Sequence, residues 1–73
     1  MINQLIDNLN AQIFNREDVS LIKKYDDGMA AFANKSKTSV AIFADMDGEL
    51  FKVSPWIKNP KKSLVEIADS LYQ

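Results

Sequence analysis

A chain of 73 residues with no cysteine and no histidine excludes a disulfide framework, a thiolate zinc site and an imidazole proton shuttle, so its stability must come from one small core. At 47% hydrophobic and 26% charged it has the composition of a folded domain rather than a disordered chain. Ten acidic against nine basic side chains leave a formal charge of -1, which excludes a strong overall pull toward nucleic acid or an anionic membrane.

The first segment, MINQLIDNLNAQIF, carries no basic leader and no unbroken apolar run. It therefore predicts neither a signal peptide nor a membrane span, and a cytoplasmic location is the expectation. Ile2, Leu5, Ile6, Leu9 and Ile13 fall at helical spacing and predict an amphipathic helix over residues 2–14. From Val19 the apolar period changes to two, which predicts a strand through Tyr25 that reverses at Asp26-Asp27-Gly28.

Met29 to Asn34 reads as a second strand and Lys35-Ser36-Lys37 as a polar connection. Ser39 to Ala44 is a third strand, apolar on both faces and therefore central. Asp47-Gly48 has the chemistry of a two-residue type I′ hairpin loop, Glu49 to Ser54 is the returning fourth strand, and Pro55 ends it. Asn59-Pro60 opens a C-terminal helix whose buried stripe is Leu64, Ile67, Ala68 and Leu71. The fold predicted for the single domain 1–73 is an α+β, two-layer α/β sandwich of order α-β-β-β-β-α, an antiparallel four-stranded meander with both helices on one face.

The hairpin loops also set the register. Around Asp47-Gly48, Met46 pairs with Glu49, Ala44 with Phe51 and Ile42 with Val53. Around Lys35 to Lys37, Ala33 pairs with Val40 and Ala31 with Ile42, and a three-residue first loop brings Tyr25 opposite Met29. One face then carries Val19, Leu21, Tyr25, Met29, Ala31, Ala33, Val40, Ile42, Ala44, Phe51 and Val53 beneath the helices. The other, with Ile22, Lys24, Phe32, Phe43, Leu50 and Lys52, is expected to be open, an apolar centre with a polar rim in the manner of a protein interface. The alternative is that a long loop, or the Pro55-Trp56-Ile57 segment, folds over part of it and finishes the core; the sequence leaves open whether Trp56 does so.

AIFADMDGEL, residues 41–50, is the one stretch with the outline of a catalytic motif. An apolar strand ends in Asp45 and Asp47 with Gly48 following, and this order resembles the nucleophile motif of haloacid-dehalogenase-type phosphatases. The resemblance implies Asp45 as nucleophile, Asp47 as acid and base, and magnesium to offset their charge. Glu49 stands where that family has threonine or a similar small residue. A 73-residue meander also has no room for the parallel doubly wound sheet or the later lysine and acidic ligands. Asp-x-Asp-Gly is also similar to the EF-hand loop, but Phe43 would occupy its first ligand position and Ser54 its last. The expectation is a hairpin turn with a solvated acidic tip, no catalytic residue, no metal and no cofactor.

The helix-strands-helix order resembles double-stranded-RNA-binding domains, with Lys61 and Lys62 where that family contacts phosphate. The acidic first turn, Asp26-Asp27-Gly28, works against that reading. Stacking of unpaired bases on Phe32 and Phe43 beside Lys24 and Lys52 is the other nucleic-acid alternative. The function expected first is that of a small non-enzymatic protein-binding module, an inhibitor or modulator of a larger complex in the manner of phage or mobile-element anti-defence proteins. Its predicted contacts are Ile22, Lys24, Phe32, Phe43, Leu50 and Lys52, and homodimerisation through the same face is a further expectation.

Overall fold

The structure, a computed structural model, describes residues 12–73. Among these described residues five strands, β1 (Gln12–Phe14), β2 (Ser20–Lys24), β3 (Met29–Ala33), β4 (Val40–Met46) and β5 (Glu49–Lys52), precede one α-helix, α1 (Leu64–Tyr72). A single 3-10 turn, Arg16–Asp18, connects β1 to β2. The strands form one antiparallel sheet in the order β1-β5-β4-β3-β2.

The predicted four-stranded meander is therefore corrected to a five-stranded sheet, and the predicted end of the first helix to a strand. Residues 12–14 of the expected first helix form β1, which pairs with β5 from Gln12↔Lys52 to Phe14↔Leu50; the rest of that prediction lies outside the described residues. Ile13 and Phe14 are β-branched and aromatic, and pairing there satisfies the backbone groups along the outer side of β5. Long-range pairing overrides a spacing that suited a helix equally well.

The central registers follow from turn chemistry. Asp47 and Gly48 both have positive φ, 53° and 81°, as a type I′ turn requires, and Met46 pairs with Glu49 and Ala44 with Phe51. In the first hairpin Asp27 and Gly28 have φ of 62° and 77°, and the Tyr25 N–H donates to the Met29 carbonyl at 2.8 Å. Between β3 and β4, Ala33 pairs with Val40 and Ala31 with Ile42.

Two irregularities decide which side chains reach which face. In β2, Leu21 pairs with Phe32 but Lys23 pairs with Ala31, so Ile22 is an extra residue. The bulge turns Ile22 onto the helix side and leaves Leu21 half exposed, while Val19 packs on the far side; this reverses the faces predicted for all three. The second irregularity follows β5. The Val53 N–H still donates to the Ile42 carbonyl at 2.9 Å, but Pro55 has no N–H to continue the ladder, and the Ser54 hydroxyl accepts the Ile42 N–H instead at 2.8 Å. Ile57 then resumes pairing with Val40 through two bonds of 2.8 and 2.9 Å.

The C-terminal helix starts later than Asn59. The Asn59 side chain accepts the Lys61 N–H at 2.9 Å, closing a turn ahead of the helix. Ser63 is the cap: its hydroxyl accepts the Glu66 N–H at 3.2 Å while the Glu66 carboxylate accepts the Ser63 N–H at 3.0 Å. This reciprocal capping box holds the Glu66 carboxyl below the usual carboxylate range. Ile67 and Ala68 of α1 pack over Met29, Ala31, Ala33, Val40, Ile42 and Ala44, where the small side chains let helix and sheet approach closely.

Candidate functional site

The face expected to be open is a second core. Phe43 and Leu50 are fully buried and Phe32 is 5% exposed, packed with Val19, Ala30 and Ala41. Phe43 lies at the hub of this cluster. Its ring meets those of Phe14, Phe32 and Trp56 edge-on, with centroids 5.3, 5.2 and 5.8 Å apart. Phe14 of β1 and Trp56 of the interruption after β5 are the partly buried side chains that pack against the cluster. The large apolar side chains on this face were legible as a group; their closure depends on β1 and on the Pro55 interruption.

The six predicted contact residues are accordingly divided. Phe32, Phe43 and Leu50 are interior, and Ile22 packs in the opposite, helix-side cluster. Lys24 remains exposed beyond Ala30 at the edge of the sheet. The Lys52 ammonium donates to the Ser54 carbonyl at 3.0 Å and sits 5.9 Å over the Trp56 ring, bracing the covering segment. The six do not form one exposed patch.

Asp45 and Asp47 do not form an acid pair either. Asp45 is in an ion pair with Arg16 at the start of the 3-10 turn, and Asp47 sits within the left-handed turn itself. Among the described residues no three carboxylates gather into a cluster that could hold a metal ion.

A recess does exist on the helix side. A groove of about 590 Å³ runs between the end of α1 and the sheet, lined by Met29, Ile42 and Val53 below and Leu71 and Tyr72 above, with Asp27 at its rim. Its lining is mostly apolar, a common property of ligand and peptide pockets. The last turn of α1 carries no basic side chain, so the negative end of the helix dipole is not offset there, and it adds to the charge of Asp27. Farther along the same side, Ile13 is 62% exposed where it pairs with Phe51 on the outermost strand.

The upper wall of the groove is held by a polar latch. Tyr25, just beyond β2, donates its hydroxyl to Asp69 of α1 at 2.7 Å, and the Lys23 ammonium donates to the same carboxylate oxygen at 3.0 Å. The bond from Tyr25, then that from Lys23, holds the Asp69 carboxyl below its usual range, whereas burial first and Asp69 second push the Tyr25 phenol up.

Charge is segregated along the strands. The β2–β3 and β4–β5 turns, with Asp26, Asp27, Asp47 and Glu49, lie at one end of the sheet. The β3–β4 turn carries Lys35 and Lys37 at the other, where the Val40–Ile57 bridge also brings Lys58, Lys61 and Lys62. Lys37, Lys58 and Lys62 share a groove of about 360 Å³ at that basic end.

No protein-family model, curated protein or solved structure matches this chain. No helix among the described residues is long and apolar enough to cross a membrane.

Proposed function

We propose that the chain is a non-enzymatic protein-binding module that receives an apolar segment of a partner in the groove between α1 and the sheet. The observation that carries this reading is the apolar lining of that groove, in which the partly exposed Leu71 and Tyr72 stand over a floor of the buried Met29, Ile42 and Val53, while the opposite face of the sheet is closed by Phe14 and Trp56. Asp27 at the rim and the unneutralised end of α1 favour a segment that presents a basic side chain beside its apolar one. Such a module acts by occupying a surface of another protein, as an inhibitor or modulator does, and no bond-making step is assigned to it.

The test is affinity capture from the native host with the wild type and with Asp27→Lys and Tyr72→Ala, each first shown to fold by circular dichroism. A protein retained by the wild type and reduced at least tenfold by both variants supports the groove. A protein retained equally by all three overturns it, as does recovery of nucleic acid alone. Light scattering on the same samples identifies the remaining occupant: a dimer dissolved by these variants places a second copy of this chain in the groove in place of a different protein.

A further inference from the structure

The formal charge of -1 conceals a strongly polar molecule. Five of the nine basic side chains, Lys35, Lys37, Lys58, Lys61 and Lys62, stand at one end of the sheet, and none is ion-paired with a carboxylate among the described residues. Two carboxylates lie toward this end, Glu66, which accepts the Ser63 N–H and is also attracted by Lys62, and Asp18, which leads into β2 where Ser20 pairs with Ala33; against five lysines they leave it positive. The acidic turns lie at the far end of β4, seven residues away, which at the rise of a strand is about 20 Å. That is about twice the screening length at physiological salt, so the acidic end does not cancel the field of the basic one. The near-zero net charge argues against a global attraction but not against a local one.

We propose that this basic end binds the phosphate backbone of nucleic acid, with Lys37, Lys58 and Lys62 lining the contact groove and Lys35 and Lys61 flanking it. The site lies at the opposite end of the sheet from the proposed protein-binding groove and stands independently of it. Both supporting turns are fixed before any ligand arrives. Asn34 closes the first, accepting the Thr38 and Ser39 N–H groups on its side-chain oxygen at 2.8 and 3.0 Å and the Lys37 N–H on its carbonyl at 2.9 Å. Asn59 closes the second, accepting the Lys61 N–H on its side chain at 2.9 Å and the Lys62 N–H on its carbonyl at 3.2 Å. Lysines set on rigid turns lose less freedom on binding a polyanion than lysines on a mobile tail.

Phosphate is favoured over an acidic polypeptide because the site offers point charges and little else. Of the apolar side chains in the groove floor, Leu64 is only partly exposed and Ile67 is buried, so a peptide would find no deep pocket for an anchor. The aromatic side chains are elsewhere, so recognition is of the backbone and not of bases.

The test is fluorescence polarisation of the full chain with a labelled mixed-sequence DNA duplex of about 20 base pairs, repeated with RNA of the same sequence, at about 50 and about 200 mM salt. Contact with three to five phosphates predicts a loss of affinity of about 40- to 500-fold between those two concentrations. Lys58→Glu and Lys62→Glu are each expected to weaken binding at least fivefold, and Lys62→Gln about two- to threefold. Lys24→Glu makes the same charge change outside the basic end and is expected to alter binding less than twofold. Absence of binding at the lower salt overturns the proposal. So does equal weakening by Lys24→Glu, which would reduce the effect to net charge. Tighter binding to polyglutamate than to either duplex would assign the site to acidic protein instead and overturn it too.

Discussion

Tyr25 and Tyr72 stack face to face, with ring centroids 4.1 Å apart and planes 9° from parallel. One ring follows β2 and the other ends α1, so the stack joins the helix terminus to the sheet at the mouth of the apolar groove. With the Tyr25–Asp69 hydrogen bond it sets how far the end of α1 stands from the sheet. Replacing Tyr25 by Phe keeps the stack and removes the hydroxyl, and should cost about 0.5–1 kcal/mol, the lower part of the range because the site is partly solvated. Tyr72→Ala removes the stack and should cost about 0.5–1.5 kcal/mol. Urea unfolding of the two single variants and the double variant measures both terms. Strict additivity in that cycle would show that the stack and the hydrogen bond do not act together.

The same latch predicts the pH range of stability. The carboxyls of Asp69 and Glu66 are held below their ordinary values in the folded chain, Asp69 first by the Tyr25 hydrogen bond and Glu66 first by the Ser63 amide. Their contribution is therefore present above about pH 4 and is lost as pH falls through the lowered folded values. Tyr25 moves the other way, because burial and the Asp69 carboxylate raise its phenol above the ordinary 10.0. Its contribution is complete below about pH 10 and is lost as pH rises beyond it. Thermal melts should show a plateau between these limits that declines on both sides. Tyr25→Phe should remove the alkaline part of the decline attributable to this phenol and leave the Glu66 part of the acid decline.

Capping of α1 gives a separate measurement. Ser63→Ala removes the hydroxyl that accepts the Glu66 N–H and should lower stability by about 1 kcal/mol. The helix has nine residues, too short to persist on capping alone, so helical signal and tertiary fluorescence should be lost together in one urea transition. A helical signal that disappears well before the tertiary one would show that α1 is held more weakly than its packing over Ile42 and Ala44 implies.

Phe43 distinguishes a core face from a docking face. It is fully buried and meets three other aromatic rings, so Phe43→Ala should cost about 3–5 kcal/mol, against a total of about 4–11 kcal/mol for a chain this long. Leu21, half exposed beside the β2 bulge, should tolerate Leu21→Ser within about 0.5 kcal/mol. Chemical denaturation of the two variants decides the matter. A Phe43→Ala protein as stable as the wild type would mean that Phe14 and Trp56 do not close over this face.

The contrast between these two positions marks what could be read from the sequence. Asp47-Gly48 and Asp26-Asp27-Gly28 announce their turns because positive φ is costly for most residues, and each turn fixes the pairing of a whole hairpin. Tyr25 opposite Met29 and Ala44 opposite Phe51 follow from that alone. Ile22 carries no mark of its bulge, since neither glycine nor proline stands near it, and one extra residue is enough to exchange the faces of Val19, Leu21 and Ile22. The strand at Gln12–Phe14 exists because β5 has a second edge to satisfy, a requirement set by distant residues. Asn59-Pro60 has the chemistry of a helix opening but forms a turn, and the helix begins instead at the Ser63–Glu66 capping box, a pair not singled out in the sequence analysis. Charge segregation was also present in the sequence, and became apparent only once the strands had sorted alternate turns to opposite ends.

Lys37 joins stability to the proposed phosphate site. Its φ of 60° is in the left-handed region, where a long side chain pays an energetic penalty that glycine avoids and asparagine reduces. The turn is held in that conformation by Asn34, whose carbonyl accepts the Lys37 N–H at 2.9 Å, so the strain is imposed by the neighbours and not relieved by the lysine itself. Lys37→Gly should therefore raise stability by about 0.5–1 kcal/mol while weakening binding of the DNA duplex about two- to threefold through loss of one charge. Lys37→Asn should gain less stability and lose the same affinity. Urea midpoints and polarisation titrations on one preparation of each variant test the two effects together. A glycine variant that is both more stable and equally tight would remove Lys37 from the phosphate contact. One that is less stable would show that the lysine side chain, and not Asn34, holds the turn.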